Sequence, residues 1–316
     1  MYTYDRMNSS GYLPVSGGHS IYYECYGKMD GIPAVVLHGG PGGSIHKKSL
    51  QQYDLQTWCV LLFDQRGCGK SKPFGSVEHN TTWDLVSDIE QLRKLFRFES
   101  WFVAGSSWGT TLALVYAETY PERVTGLLLQ AVCLQDYASQ QWKRGYGGAS
   151  SIFPNEWEQY VSLLPKRFKQ ADWKAIAKFY QKKLVKNDAE AQRYAETWWG
   201  WESAIASLLP RQNMKTPTQA LSLAKLENHY FVHDCFIEEG QIMKNIDTLQ
   251  SIPITIVHGR YDMVCPARGA IALANALPQA KLILLPDSGH SSSKKTTLKR
   301  IRKTLRSFTR KISKIR

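Results

Sequence analysis

The stretch from Trp101 to Pro121 reads WFVAGSSWGTTLALVYAETYP and sets two serines side by side between glycines. The pattern G-x-S-x-G fits in one frame only, Gly105-Ser106-Ser107-Trp108-Gly109, with Ser107 at its centre. In that frame an apolar run ends at Gly105 and a helical pattern begins near Trp108. Such a sharp strand-to-helix turn holds a serine hydroxyl out of the sheet at a helix N-terminus. Small residues two before and two after the serine let the backbone pass closely there. Ser106 then points away and serves only as a small residue.

A serine hydroxyl is a weak nucleophile and needs a base, and the base needs an orienting carboxylate. On a strand-loop-helix scaffold of this kind the partners follow in the order Ser, Asp, His, each on a loop just after a strand. TIVHGRYDMVCP supplies Asp262, and LILLPDSGHS supplies His290. Asp287 is the alternative acid, but it sits so close to His290 in the chain that reaching the far ring nitrogen is awkward. The remaining requirement is a pair of donors for the charge that develops on an attacked carbonyl. LHGGPGGS, which includes His38 to Ser44, exposes glycine amides after another apolar run. The two donors are assigned to the amides of Gly40 and Trp108.

Two patterns resemble other chemistries and fail on inspection. DQRGCGKS ends like a phosphate-binding loop, but that motif needs glycine where Asp64 stands. HYFVH puts His229 and His233 at a metal-ligand spacing on a helix, with no third ligand pattern nearby, so a packed or surface pair is expected. The serine chemistry itself needs no metal or organic cofactor.

These residues must be positioned by a regular scaffold. AVVLH (34–38), CVLLFD (59–64), WFVAG (101–105), VTGLLLQAV (124–132), PITIVHG (253–259) and KLILLP (281–286) read as buried strands. Helical patterns lie between them near 83–96, 108–120 and 267–277, and GHSIYYECYG ahead of them could add antiparallel strands. Strand and helix in alternation predict an α/β fold with a mostly parallel central sheet covered on both faces. From about Leu134 to Thr248 the alternation stops, and Trp, Tyr, Gln and Lys accumulate in helical patterns. The expected organisation is a body in two parts, 1–133 and 249–316, with a helical cap over 134–248 inserted between two strands.

The formal net charge of +13 suggests a nucleic-acid partner until it is located. Eleven of the 40 Lys and Arg lie between Lys294 and Arg316, and the rest of the chain carries 29 basic against 27 acidic residues. In that tail Leu298, Ile301, Leu305, Phe308, Ile312 and Ile315 recur three or four apart, which makes one apolar face on a basic helix. The helix is expected to dock on the body with its basic face in solvent. A weak contact with an anionic surface, membrane or nucleic acid, is the sharper alternative. Six scattered cysteines form no CxxC pair and are expected to be reduced thiols. The N-terminus lacks the basic-then-apolar pattern of a secretion signal, and the expected location is cytoplasmic.

Taken in order, HGGPGG, DQRGCGKS, GSSWGTTLALVYAETYP, SIFPNEW, WGWES, LENHYF, HGRYDMVCP and GHS resemble the motifs of the proline iminopeptidases. These are serine exopeptidases of the α/β-hydrolase fold that release an N-terminal proline. The resemblance runs from about residue 10 to residue 290, through body and cap alike. It implies that Glu202 in WGWES and Glu227 in LENHYF hold the free amino end of a peptide substrate. It implies as well that Phe231, Cys265 and Phe153 line the pocket for the proline ring. Carboxylates among Trp198, Trp199 and Trp201 are costly to bury unless something cationic meets them, either a substrate amine or a nearby Lys or Arg. The chain departs from the family where an aromatic residue near the pocket is replaced by Gly145, with Tyr146 one place on. A serine esterase or broader aminopeptidase on the same scaffold is the alternative enzyme, and a silent binding protein using its basic tail is the non-enzymatic one.

Overall fold

The computed structural model describes residues 7–186, 188–207, 216–290 and 295–312. Its strands are β1 (Met7–Pro14), β2 (Ser20–Gly27), β3 (Ile32–Leu37), β4 (Trp58–Phe63), β5 (Trp101–Ser106), β6 (Val124–Gln130), β7 (Ile254–Gly259) and β8 (Lys281–Leu285). They form one sheet in the order β1-β2-β4-β3-β5-β6-β7-β8. The first two strands pair antiparallel, β2 also runs antiparallel to β4, and every pairing from β4 to β8 is parallel. Parallel strands covered by helices on both faces are apolar along their whole length, and all six residues of β4 are buried. The six apolar runs thus become β3 to β8, and GHSIYYECYG becomes β2. The edge strand β1, whose sequence MNSSGYLP is mostly exposed, carries no such run.

In the body, α1 (Thr82–Leu95), α2 (Trp108–Thr119) and α9 (Ala267–Ala276) link successive strands. A capping box fixes the start of α1, where the Thr81 side chain accepts from the Asp84 amide and Asp84 accepts in return from that of Thr81. Such a cap stabilises a helix by about 1 kcal/mol. The second helix is buried over ten of its twelve residues, so it needs no polar face. Because β3 has β4 on one side and β5 on the other, the loops after β3 and β5 diverge and open a crevice at the C-terminal edge of the sheet.

Between β6 and β7 the described residues contain helices and no strand: α3 (Tyr137–Arg144), α4 (Pro154–Tyr160), α5 (Trp173–Leu184), α6 (Ala189–Ile205), α7 (Pro217–Val232) and the single turn α8 (Gln241–Lys244). Their packing is aromatic. The Tyr160 ring stacks on those of Tyr180 and Trp201 at 5.2 and 5.6 Å, and Trp157 meets Trp201 edge-on at 5.3 Å. Of these helices α7 sits on the loops after β3 and β4, where a methyl group added at Gly42 would stand 3.1 Å from the Leu223 Cα, and one at Gly67 3.0 Å from the Leu226 side chain.

The basic tail forms α10 (Lys295–Ile312). Ile301 and Leu305 are buried against the sheet, and the Phe308 ring lies 4.6 Å from that of Phe102 and 6.0 Å from that of Trp58. The apolar stripe therefore docks as the spacing suggests, with Lys299, Arg300, Lys303, Arg306 and Arg310 exposed. The side chain of Ile312 and all of Ile315 lie outside the described residues. Among those residues no helix is long and apolar enough to cross a membrane, and no group of three His, Cys, Asp or Glu could hold a metal ion.

Candidate active site

Ser107 is the turn between β5 and α2, and its backbone lies at φ 57°, ψ −125°. A side chain at positive φ is strained, and such strain marks positions held by their surroundings. The flanking glycines make the bend feasible. A Cβ at Gly105 would collide with the Gly109 carbonyl, and one at Gly109 with that of Leu37. The hydroxyl of Ser107 lies 3.1 Å from His290 Nε2, across 183 residues of chain. His290 Nδ1 in turn lies 2.8 and 3.0 Å from the two carboxylate oxygens of Asp262. The structure thus brings Ser107, His290 and Asp262 into one chain of hydrogen bonds. Ser106 lies on another side of the turn, in a cavity of about 790 Å³ lined also by Ala104, Gln130 and Ile301. Asp287 accepts from its neighbour, Ser288 Oγ, at 3.4 Å.

Electrostatics tune the pair. Burial disfavours a charged imidazole, but the Asp262 carboxylate and its hydrogen bond outweigh burial and raise the His290 pKa above the ordinary histidine value. Asp262 is buried as well, yet His290 and the amide of Cys265 hold its carboxyl below the usual range. The amides of Val264 and Cys265 donate to its Oδ1 at 3.0 and 2.7 Å, which fixes the carboxylate. His258, buried and kept neutral by desolvation, anchors this turn by bonding the Cys265 carbonyl at 2.8 Å and accepting from the Val132 amide at 3.0 Å.

The glycine loop lies against Ser107. A Cβ at Gly39 would stand 3.2 Å from the Ser107 Cβ, and Gly40 follows at φ 122°, a conformation only glycine adopts without strain. The Trp108 amide opens α2, where unpaired N–H groups favour developing negative charge. A residue that sequence reasoning missed braces the two. The Trp108 indole donates to Gln65 Oε1 at 2.9 Å, the Gln65 side-chain amide donates to the His38 carbonyl at 2.9 Å, and the Gln65 backbone amide donates to His38 Nε2 at 3.0 Å. Asp64 belongs to the same brace, accepting from the amides of Ile45 at 2.6 Å and Lys70 at 2.8 Å. DQRGCGKS is therefore a support for the glycine loop.

The cap supplies two buried carboxylates, Glu202 on α6 and Glu227 on α7. Glu202 Oε1 meets Arg144 Nη2 at 2.6 Å and Lys143 Nζ at 3.2 Å. Burial alone would raise its pKa, but the two cations hold it low. Burial and the charge of Glu202 push the Glu227 carboxyl up to about 7, against the Trp198 indole, which donates to it at 2.6 Å. Phe231 is buried beneath the Arg144 guanidinium, whose centre is 3.6 Å from the ring centroid. Cys265 is buried and hydrogen-bonded to Cys133, while Phe153 is half-buried at the start of α4. Lys143 and Arg144 were not legible as site residues, since two basic side chains in the last turn of a helix read as a solvated end. His229 and His233 are no metal pair. His229 bonds the Asn80 carbonyl at 2.9 Å, and His233 bonds the His229 carbonyl at 2.7 Å.

Comparison with known proteins agrees with this fold. Residues 33–295 match the model of the alpha/beta hydrolase fold family. The chain is 43% identical over 288 residues to a probable proline iminopeptidase of Leptolyngbya boryana, covering 89% of this chain and 88% of that protein. It is 41% identical over 291 residues to the proline iminopeptidase of Arabidopsis thaliana, covering 90% and 76% of the two chains. Among solved structures it resembles an esterase from Exiguobacterium antarcticum, with a TM-score of 0.60, 19% identity and coverage of 96% and 100%. A proline iminopeptidase-related protein from Thermus thermophilus gives 0.59, 23%, and 95% and 98%. These structural likenesses speak for the fold, and the sequence identities for more: this chain belongs to the proline iminopeptidase family of α/β hydrolases.

Proposed function

We propose that this chain is a serine exopeptidase that releases N-terminal proline from peptides. Ser107 Oγ attacks the carbonyl of the first residue and passes its proton to His290 Nε2, while Asp262 orients the imidazole and stabilises its charge. The oxyanion rests on the amides of Gly40 and Trp108. As the carbon–nitrogen bond breaks, His290 protonates the leaving amine. Water, activated by His290, then cleaves the acyl-enzyme, releasing free proline and restoring the Ser107 hydroxyl. Glu202 and Glu227 receive the amino end, and Phe231, Cys265 and Phe153 border the ring. The helices of 134–248 act as the cap that brings these groups over the nucleophile.

The observation that carries this reading is the hydrogen-bonded series from Ser107 through His290 to Asp262 in a chain of this family. Six free, buried cysteines fit a reducing compartment, so the cytoplasm is the proposed location. The exposed basic face of α10 is suited to weak contact with an anionic surface. Purified protein should release 4-nitroaniline from prolyl 4-nitroanilide well above its rate on 4-nitrophenyl butyrate relative to a general esterase. Turnover of the ester with none of the prolyl amide would overturn the reading in favour of an esterase.

A further inference from the structure

The two cap carboxylates face two cations from the end of α3, and the donors outnumber the acceptors. Arg144 is 1% exposed. Its Nη2 donates to Glu202 and its Nη1 to Gln140 Oε1 at 2.8 Å, while its Nε is buried with no hydrogen-bond partner among the described residues. A guanidinium has five N–H donors, and a buried one left unmade costs more than a made one gains. Lys143, also buried, shares the same Glu202 oxygen and lies 5.3 Å from the Phe231 ring centroid. It also stands close enough to act on the charge of His290, as does Glu202. The cluster thus adjoins the acylation site. Its cations are met by one firmly ionised carboxylate, Glu202, and by Glu227, which holds its proton near neutrality. A neutral N-terminal residue presents its amine to the cap carboxylates and leaves the Arg144 Nε unpaired. An N-terminal residue that brings a side-chain carboxylate supplies the missing acceptor.

We propose that Lys143 and Arg144 form a subsite that binds the side-chain carboxylate of an acidic N-terminal residue, glutamate or aspartate, a selectivity that rests on the aminopeptidase reading above. The α-amine goes to Glu227, the side-chain carboxylate to Lys143 and the Arg144 Nε, and the carbonyl to Ser107. Acidic residues are thereby accepted alongside proline, and they are preferred over neutral residues of the same shape.

The test compares glutamyl, glutaminyl and prolyl 4-nitroanilides on the purified full chain. Glutamyl differs from glutaminyl only in charge and acceptor character. The expected kcat/KM ratio of glutamyl to glutaminyl is about tenfold or more, the scale of one charge-assisted hydrogen bond. Lys143→Met should bring that ratio close to one, and Lys143→Arg should retain it. A wild-type ratio of one or less, with prolyl substrate cleaved, overturns the subsite and leaves the aminopeptidase reading intact. A ratio that survives in Lys143→Met overturns the role of Lys143. If none of the three amides is cleaved, the aminopeptidase reading falls and takes the subsite with it. The wild-type ratio decides the matter even if a variant fails to fold.

Discussion

The indole nitrogen of Trp108 donates to the side-chain oxygen of Gln65 at 2.9 Å, tying the first residue after the nucleophile to the segment that carries the glycine loop. Gln65 is 1% exposed, so Gln65→Leu leaves the Trp108 donor and the His38 carbonyl without their partner in a dry site. The expected result is a fall in kcat of about tenfold to a hundredfold, with a smaller change in KM, because the loop donors act on the transition state. Steady-state kinetics on prolyl 4-nitroanilide give the answer, and an unchanged kcat would show that the brace does not govern the loop.

Ser107→Ala should remove turnover by about 10⁴-fold or more while the protein melts as before, whereas Ser106→Ala should stay active. Of the two serines, Ser107 is the one within hydrogen-bonding distance of His290. The reverse pattern would place the nucleophile in the wrong frame.

The base works only when neutral, and its pKa is raised, so kcat/KM should climb with pH through a midpoint above the ordinary histidine value of 6.5. Asp262→Asn removes the cause of the shift. It should move that limb to lower pH and reduce kcat by about 10⁴-fold. The same pairing stabilises the fold fully below the unfolded histidine pKa, and that contribution fades as pH rises through the folded one. A pH–rate profile unmoved by Asp262→Asn would contradict the assigned role.

The docked tail is a claim about packing. Leu305 is 2% exposed beneath α10, so Leu305→Ala should destabilise the protein by about 2–4 kcal/mol in denaturant unfolding. Arg306→Ala, one residue on and exposed, should change it by less than about 0.5 kcal/mol. Equal effects at the two positions would mean that the helix is not held by its apolar stripe.

Strands β3 to β7 were legible because a strand buried on both faces must be a continuous apolar run, and the edge strand β8, only partly buried, carries such a run as well. The edge strand β1 was not, since its backbone pairs on one side only and its polar, exposed sequence resembles a loop. Ser107, Asp262 and His290 could be picked out as a set because each follows such a run, and the structure brings the three within hydrogen-bonding distance. Gln65 was hidden inside a pattern resembling a phosphate loop. Lys143 and Arg144 were hidden for a different reason. Their partner, Glu202, lies 58 residues beyond Arg144, and nothing local distinguishes a buried ion pair from a charged helix end.

The backbone angles of Ser107 have a cost that the protein bears whether or not a peptide is present. An L-residue held there forgoes about 1–3 kcal/mol that glycine would not. Ser107→Gly should therefore give an inert protein that melts higher than its parent. The fold would rest more easily without the side chain that the proposed chemistry requires.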